Sequence, residues 1–204
     1  NTGINGSIGN DESYKWQITN TLNYHQTFAK KHKLNVLLGH EASYSESEGN
    51  SMKLRQFPYP NFGLDNIANA TVYEKSVSHK HSGIVSAFAR ANYNFDERYL
   101  FTATVRADGS SKFADGNRWG IFPSASAAWR VSEESFFKES SLMNYVNSLK
   151  LRVGYGTTGN CNIGDYLYTT SIKESDYPMN NNTGTLAYVL NTTLGNKNLK
   201  WETL

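Results

Sequence analysis

A chain of 204 residues with a formal net charge of only +2 lacks the basic excess through which proteins bind nucleic acid. Its one cysteine, Cys161, excludes an internal disulfide framework and a cysteine-based zinc centre, and no apolar run reaches the ~18 residues of a membrane helix. Strands that cross a membrane as a barrel are not excluded, because they alternate and never produce such a run, and an aromatic content of 13% suits a pleated surface.

From Ser13 to Phe28 the alternation is nearly unbroken. Tyr14, Trp16, Ile18, Leu22, Tyr24 and Phe28 share one face, with Asn20 and Gln26 as polar exceptions, while Lys15, Gln17, Thr19, Thr21, Asn23, His25 and Thr27 share the other. At ~3.3 Å per residue this strand spans roughly 50 Å, far beyond the ~5–6 residues usual in globular sheets. A short turn at AKKHK (29–33) leads to a second strand over about 34–44, interrupted by His40. Residues 45 to about 80 read as a long polar loop with FPYPNFGLDN in its middle. A third strand, about Ser82 to Phe95, carries Val85, Ala87, Ala89, Ala91, Tyr93 and Phe95 on one side. After the turn Asp96-Glu97-Arg98, a fourth runs over 99–107 with Tyr99, Phe101, Ala103, Val105 and Ala107 on one face. A polar, glycine-rich loop leads to a fifth, Trp119 to Val131, in which Pro123 predicts a bulge or a ladder end because proline cannot donate a hydrogen bond. A connection over 132–148, with a helical turn at SEESFF, precedes a sixth strand at LKLRVGYG. Residues 157 to about 198 are polar and irregular, with short strands expected at 166–172 and 186–190, and LKWETL begins a seventh.

Connections that alternate short and long place the long loops of an up-and-down meander on one end, as in outer-membrane barrels. The aromatics sort likewise. One end of the apolar face takes Tyr14, Trp16, Tyr44, Trp119 and Tyr155, the other Tyr24, Phe28, Tyr93, Phe95, Tyr99, Phe101 and Trp129, with alanine and aliphatic residues between. Such girdles are what a bilayer selects, because amphipathic rings prefer the headgroup level. The opposite face, with Thr102, Thr104, Arg106, Ser124, Ser126, Arg130, Lys150 and Arg152, would line a lumen. The fold class expected is all-β, an antiparallel transmembrane β-barrel segment. The alternative is a soluble β-sandwich that binds carbohydrate through exposed aromatics, and the direction of the aliphatic side chains separates the two. About six or seven strands are too few to close a barrel, for which ~8 is the practical minimum. The chain opens without a signal-peptide pattern and stops within a strand-like stretch, so it reads as a piece of a longer protein.

Residues 90–137, RANYNFDERYLFTATVRADGSSKFADGNRWGIFPSASAAWRVSEESFF, closely resemble the barrel signature of the SusC/RagA-type TonB-dependent outer-membrane transporters of Bacteroidetes. LKLRVGYGTTGNCNIGDY (149–166) and LGNKNLKWET (194–203) are similar to the signatures that follow it. The motif positions carried over are Arg90, Tyr93, Arg106, Asp108, Gly109, Phe113, Trp119, Pro123, Trp129 and Trp201, with a structural role in the barrel. The resemblance implies a barrel of about 22 strands with a plug. Residues 1–204 correspond to part of that barrel, without counterparts of the plug and N-terminal segments. It further implies a place in the cell outer membrane among its lipid, import of a glycan, oligosaccharide or peptide energised through TonB, and a SusD-like surface lipoprotein as partner.

Arg106 to Ser111 lie where a strand meets an outer loop and could touch a ligand, but the turn-forming Asp108-Gly109 favours a structural role. Asp108, Asp115 and Asn117 lack the spacing of a calcium loop, and His79 with His81 makes two metal donors without a third. No nucleophile, paired-carboxylate or phosphate-loop pattern appears, so neither catalysis nor a cofactor is expected. The candidates for ligand or partner binding are the loop aromatics: Phe57, Tyr59 and Phe62 in the first long loop, Tyr166, Tyr168 and Tyr177 in the last.

Overall fold

The computed structural model describes residues 5–57, 60–179, 183–190 and 194–204. Its main sheet has six strands: β1 (Gly6–Phe28), β2 (His32–Arg55), β3 (Thr71–Phe95), β4 (Tyr99–Ser110), β5 (Trp119–Arg130) and β6 (Lys150–Gly156). The spatial order follows the chain, β1-β2-β3-β4-β5-β6, so the sheet is a simple meander.

Two tight turns build it. Phe28 accepts from the Lys31 amide at 3.2 Å and Phe95 from the Arg98 amide at 3.0 Å. In both, the central pair takes positive φ: 47° and 63° at Ala29 and Lys30, 51° and 58° at Asp96 and Glu97. Positive φ at both central positions is the mirror-image turn whose twist matches that of the flanking strands.

The register of the later strands is continuous. Ala91 pairs with Ala103 and Ala103 with Ala125, while Tyr93 pairs with Phe101, Phe101 with Ala127 and Ala127 with Val153. Pro123 pairs with Val105 and makes no bulge in the β4–β5 ladder. It sits instead just past the last β5–β6 pair, Ser124 with Gly156, where its carbonyl accepts from the Thr157 amide at 3.0 Å. Its missing donor faces the end of that ladder, where the expected pairing stops.

Three expectations need correction. β2 runs to Arg55 and β3 begins at Thr71, so the loop expected over 45–80 shrinks to 56–70, which holds a 3-10 helix, Pro60–Asn69. Ser45 to Ser51 is polar on both faces and gives no apolar period to read. It is extended because its backbone is paired in the sheet, with cross-strand side-chain pairs at Glu48–His79, 3.1 Å, and just beyond it at Lys53–Glu74, 2.8 Å. In the last segment the short strands are β8 (Ile172–Met179) and β9 (Thr183–Leu190), paired with each other. The expected seventh strand is only β10 (Glu202–Thr203), which pairs with β7 (Gly159–Asn160). The connection after β5 holds the expected helical turn, α1 (Ser135–Lys138), between 3-10 turns at Val131–Glu133 and Ser141–Asn144.

The faces decide between barrel and sandwich. Along β4 the apolar Tyr99, Phe101, Ala103 and Val105 are exposed, whereas the alternating Leu100, Thr102, Thr104 and Arg106 are partly covered. On β5 and β6, Trp119, Ile121, Leu151, Val153 and Tyr155 also point outward, with Val153 71% exposed. A soluble sandwich would bury this face against a second sheet, and none lies on it among the described residues. The structure is an antiparallel barrel wall, all-β but for short helical turns, and as a six-stranded sheet it is not closed.

By contacts the chain forms two units, residues 1–16 with 43–83 and 17–42 with 84–204. In the first, Leu54 and Phe57 are buried and Trp16 stacks on Tyr44 at 6.3 Å between centroids. In the second, Phe113, Phe122, Val131 and Phe137 are buried, and Tyr93–Phe101 and Phe95–Tyr99 stack along the apolar face.

Candidate functional site: the polar face and its loops

On the polar face, β2, β3 and β4 bring Glu41, Ser86, Arg106 and Asp108 together. The Arg106 guanidinium donates to Asp108 Oδ1 at 2.7 Å, to Ser86 Oγ at 2.9 Å and to Glu41 Oε1 at 3.3 Å. Its plane lies over the Phe88 ring, 5.4 Å from the centroid. Asp108 and Ser86 are buried, so the guanidinium supplies the hydrogen bonds that these groups would otherwise take from water. Phe88 is an apolar residue at a polar-face position. It fits because Gly39 faces it, where a Cβ would stand 2.1 Å from the ring. Further along the face, Arg90 Nε donates to Thr104 Oγ1 at 3.4 Å.

The loop between β4 and β5 is clamped to the tail by three rings. Trp201 packs against Phe113 at 5.6 Å and edge-on against Phe122 at 5.4 Å, and its indole donates to the Arg118 carbonyl at 2.8 Å. Phe122 is again an apolar residue in a polar-face series, and it too is received by glycine: a Cβ on Gly159 would lie 2.0 Å from its ring. Lys112 ties the loop to the same tail through the Ile163 carbonyl at 2.8 Å. On the outward face Gly109 is covered by its register partner Trp119.

At the end where the tight turns lie, Glu134 collects three donors from neighbouring strands and turn. Tyr99 Oη donates at 2.8 Å and Trp129 Nε1 at 3.0 Å to Oε1, and Arg98 Nη1 donates at 3.2 Å to Oε2. These hydrogen bonds, Tyr99 first, and the nearby guanidinium hold the Glu134 carboxyl below the ordinary carboxylate range. In the same region Tyr93 Oη lies 2.7 Å from His32 Nδ1.

The aromatic loop candidates divide. Phe57 is 7% exposed and packs near Gly6, so it offers no open face. Tyr166 is exposed at positive φ and Tyr168 half-buried. Tyr59 lies outside the described residues, as do the side chains of Phe62, in the 3-10 helix, and Tyr177, in β8. The carboxylates considered for calcium are engaged by arginines, Asp108 with Arg106 and Asp115 with Arg118 at 3.0 Å, and His79 is paired with Glu48. Glu41, Ser86, Phe88, Phe122 and Glu134 escaped sequence reasoning. For Phe88 and Phe122 the signal was present, a large ring out of phase in a polar series with a glycine available across the sheet.

The profile of the family described as "TonB dependent receptor-like, beta-barrel" matches residues 1–204. The TonB-dependent receptor SusC of Bacteroides thetaiotaomicron is 40% identical over 139 residues, which are 66% of this chain and 13% of that protein. The TonB-dependent receptor P3 of Formosa agariphila is 32% identical over 96% of this chain and 20% of its own length. Among solved structures, a chain of the RagAB peptide transporter superposes with a TM-score of 0.81 at 27% identity, covering 97% of this chain and 21% of that one. The chain therefore spans about a fifth or less of the relatives it matches.

Proposed function

The chain belongs to the TonB-dependent receptor-like β-barrel family, and from that premise we propose that it forms part of the wall and external loops of an outer-membrane importer. The cargo is an oligosaccharide, glycan or peptide, bound outside and admitted on energy relayed through TonB, with a SusD-like lipoprotein over the external loops. The setting is the outer membrane of a Gram-negative, Bacteroidetes-like cell, and the role is binding and passage rather than catalysis. Residues 1–204 contribute barrel wall, and the plug and TonB-contacting segments belong to other parts of the full-length protein. The observation that carries this reading is the outward apolar face of β4, β5 and β6, backed by a polar face built around Arg106. In this reading Arg106, Asp108, Phe113, Trp119, Pro123 and Trp201 hold the wall to its loops, while Tyr166 and Tyr168 face cargo or lipoprotein.

A strain lacking the full-length parent, grown on defined oligosaccharides or peptides as sole nutrient, tests it. Growth should fail on one such source and return with the parent gene but not in a TonB-deficient background. Unimpaired growth on every source, or recovery of the parent in the soluble fraction, would overturn the proposal.

A further inference from the structure

β3 outruns its neighbour on one side. Its pairing with β4 ends at Ile84 opposite Ser110, whereas the strand itself begins at Thr71. Residues 71–80 therefore have β2 along one edge, with Lys53–Glu74 at 2.8 Å and Glu48–His79 at 3.1 Å between them. Along the other edge no strand lies among the described residues, and all of 71–80 are exposed. That edge is a row of backbone donors and acceptors repeating at every second residue, ~7 Å apart. The stretch TVYEKSVSHK holds neither proline nor glycine, so nothing in it breaks the row. Glu74 and His79 are engaged by β2, but Lys75 and Lys80 have no carboxylate partner among the described residues. Five positions apart, they lie on opposite faces of the strand. His81 stacks on Tyr44 and Tyr44 on Trp16, so the aromatic girdle crosses β3 at His81 and residues 71–80 stand beyond it.

We propose that residues 71–80 bind cargo by strand addition: an extended peptide with carboxylates five positions apart pairs its backbone with this edge. A two-residue period of N–H and C=O groups matches another extended backbone, whereas the hydroxyls of a glycan follow no such period. The two lysines disfavour pairing with the same edge of a second copy and meet an acidic residue on each face of an incoming strand. Backbone pairing reads little else of the peptide, so the edge tolerates varied cargo sequences. The inference rests on the importer reading above and narrows its cargo to peptide.

Fluorescence anisotropy on the full-length parent tests it, with a labelled peptide of serine and threonine that carries two glutamates five positions apart. The peptide should bind, and N-methylation along one of its edges should leave the affinity unchanged, because strand addition uses one edge. N-methylation of every residue should abolish binding. Lys75→Glu/Lys80→Glu should weaken binding about tenfold, the loss of two exposed charge pairs, and a peptide with lysines in place of the glutamates should restore it. Heat-shifted gel mobility establishes that the variant is folded, and Lys75→Gln/Lys80→Gln, with a smaller loss, serves if it is not. A photo-crosslinker at the centre of the peptide should label residues 71–80. Binding of the fully methylated peptide, failure of the charge swap to restore affinity, or label elsewhere in the barrel overturns the proposal. So does absence of peptide binding by a parent that supports TonB-dependent growth on an oligosaccharide, which leaves the importer reading standing. A parent that supports no TonB-dependent growth overturns that reading instead, and the cargo assignment with it.

Discussion

Arg106 shows how much one polar-face residue can carry. It answers a buried carboxylate, a buried hydroxyl and a second acid, and covers a ring that glycine admits. Arg106→Ala should destabilise the barrel by about 1–3 kcal/mol, because it strands Asp108 and Ser86 away from water. Arg106→Lys should fall between, since an ammonium keeps the charge and loses the planar fork. Heat-modifiability on gels, scored as the temperature of band conversion, checks the order. Glu134 gives a pH dependence with a definite sign. Its carboxyl is held below the ordinary range, so the support it gives Tyr99, Trp129 and Arg98 is complete above that range and is lost as pH falls through the lowered value. Acid titration of indole fluorescence should show a transition below the usual carboxylate range that Glu134→Gln abolishes.

The tight turns and the long strands obey different rules. Ala29 and Lys30 hold a conformation that suits asparagine and glycine, and Lys30 has a φ of 63°. Ala29→Asn with Lys30→Gly should therefore stabilise the β1–β2 hairpin by about 1 kcal/mol, measured as a shift in the unfolding midpoint. The two faces of the β5–β6 pair give the sharper contrast. Val153→Arg puts a charge on the outward face and should cost about 2–4 kcal/mol if it lies near the bilayer midplane. Ser124→Arg, on the polar face, should cost far less. Folding yields of the full-length parent into vesicles separate the two.

A sheet with one exposed apolar face and an open edge is not a solution structure on its own. The 204-residue chain should aggregate in buffer and gain β-structure in detergent micelles, followed by circular dichroism and light scattering. A monodisperse, cooperatively melting chain in plain buffer would mean that its apolar faces cover one another, contrary to the arrangement of β4, β5 and β6.

Period-two alternation was enough to assign β1 from Ser13 onward, β4, β5 and β6 and to separate their faces, because side-chain direction in a strand is a local property that every second residue repeats. The motif from Arg90 to Phe137 likewise points to the family from sequence alone. Alternation alone left both a barrel and a sandwich open; exposure of the apolar face in the folded sheet separates them. The polar reaches of β2 and β3 became strands only through backbone pairing with their neighbours, since a ladder needs a partner and not a hydrophobic period. Pro123 keeps its place in β5 because the donor it lacks faces the end of the β6 ladder, a direction set by pairing. Phe122 finds Trp201, Arg106 finds Glu41 and Tyr99 finds Glu134 across tens of residues. Such contacts belong to the tertiary structure because register, which brings distant positions level, is fixed between strands and is not encoded within any one of them.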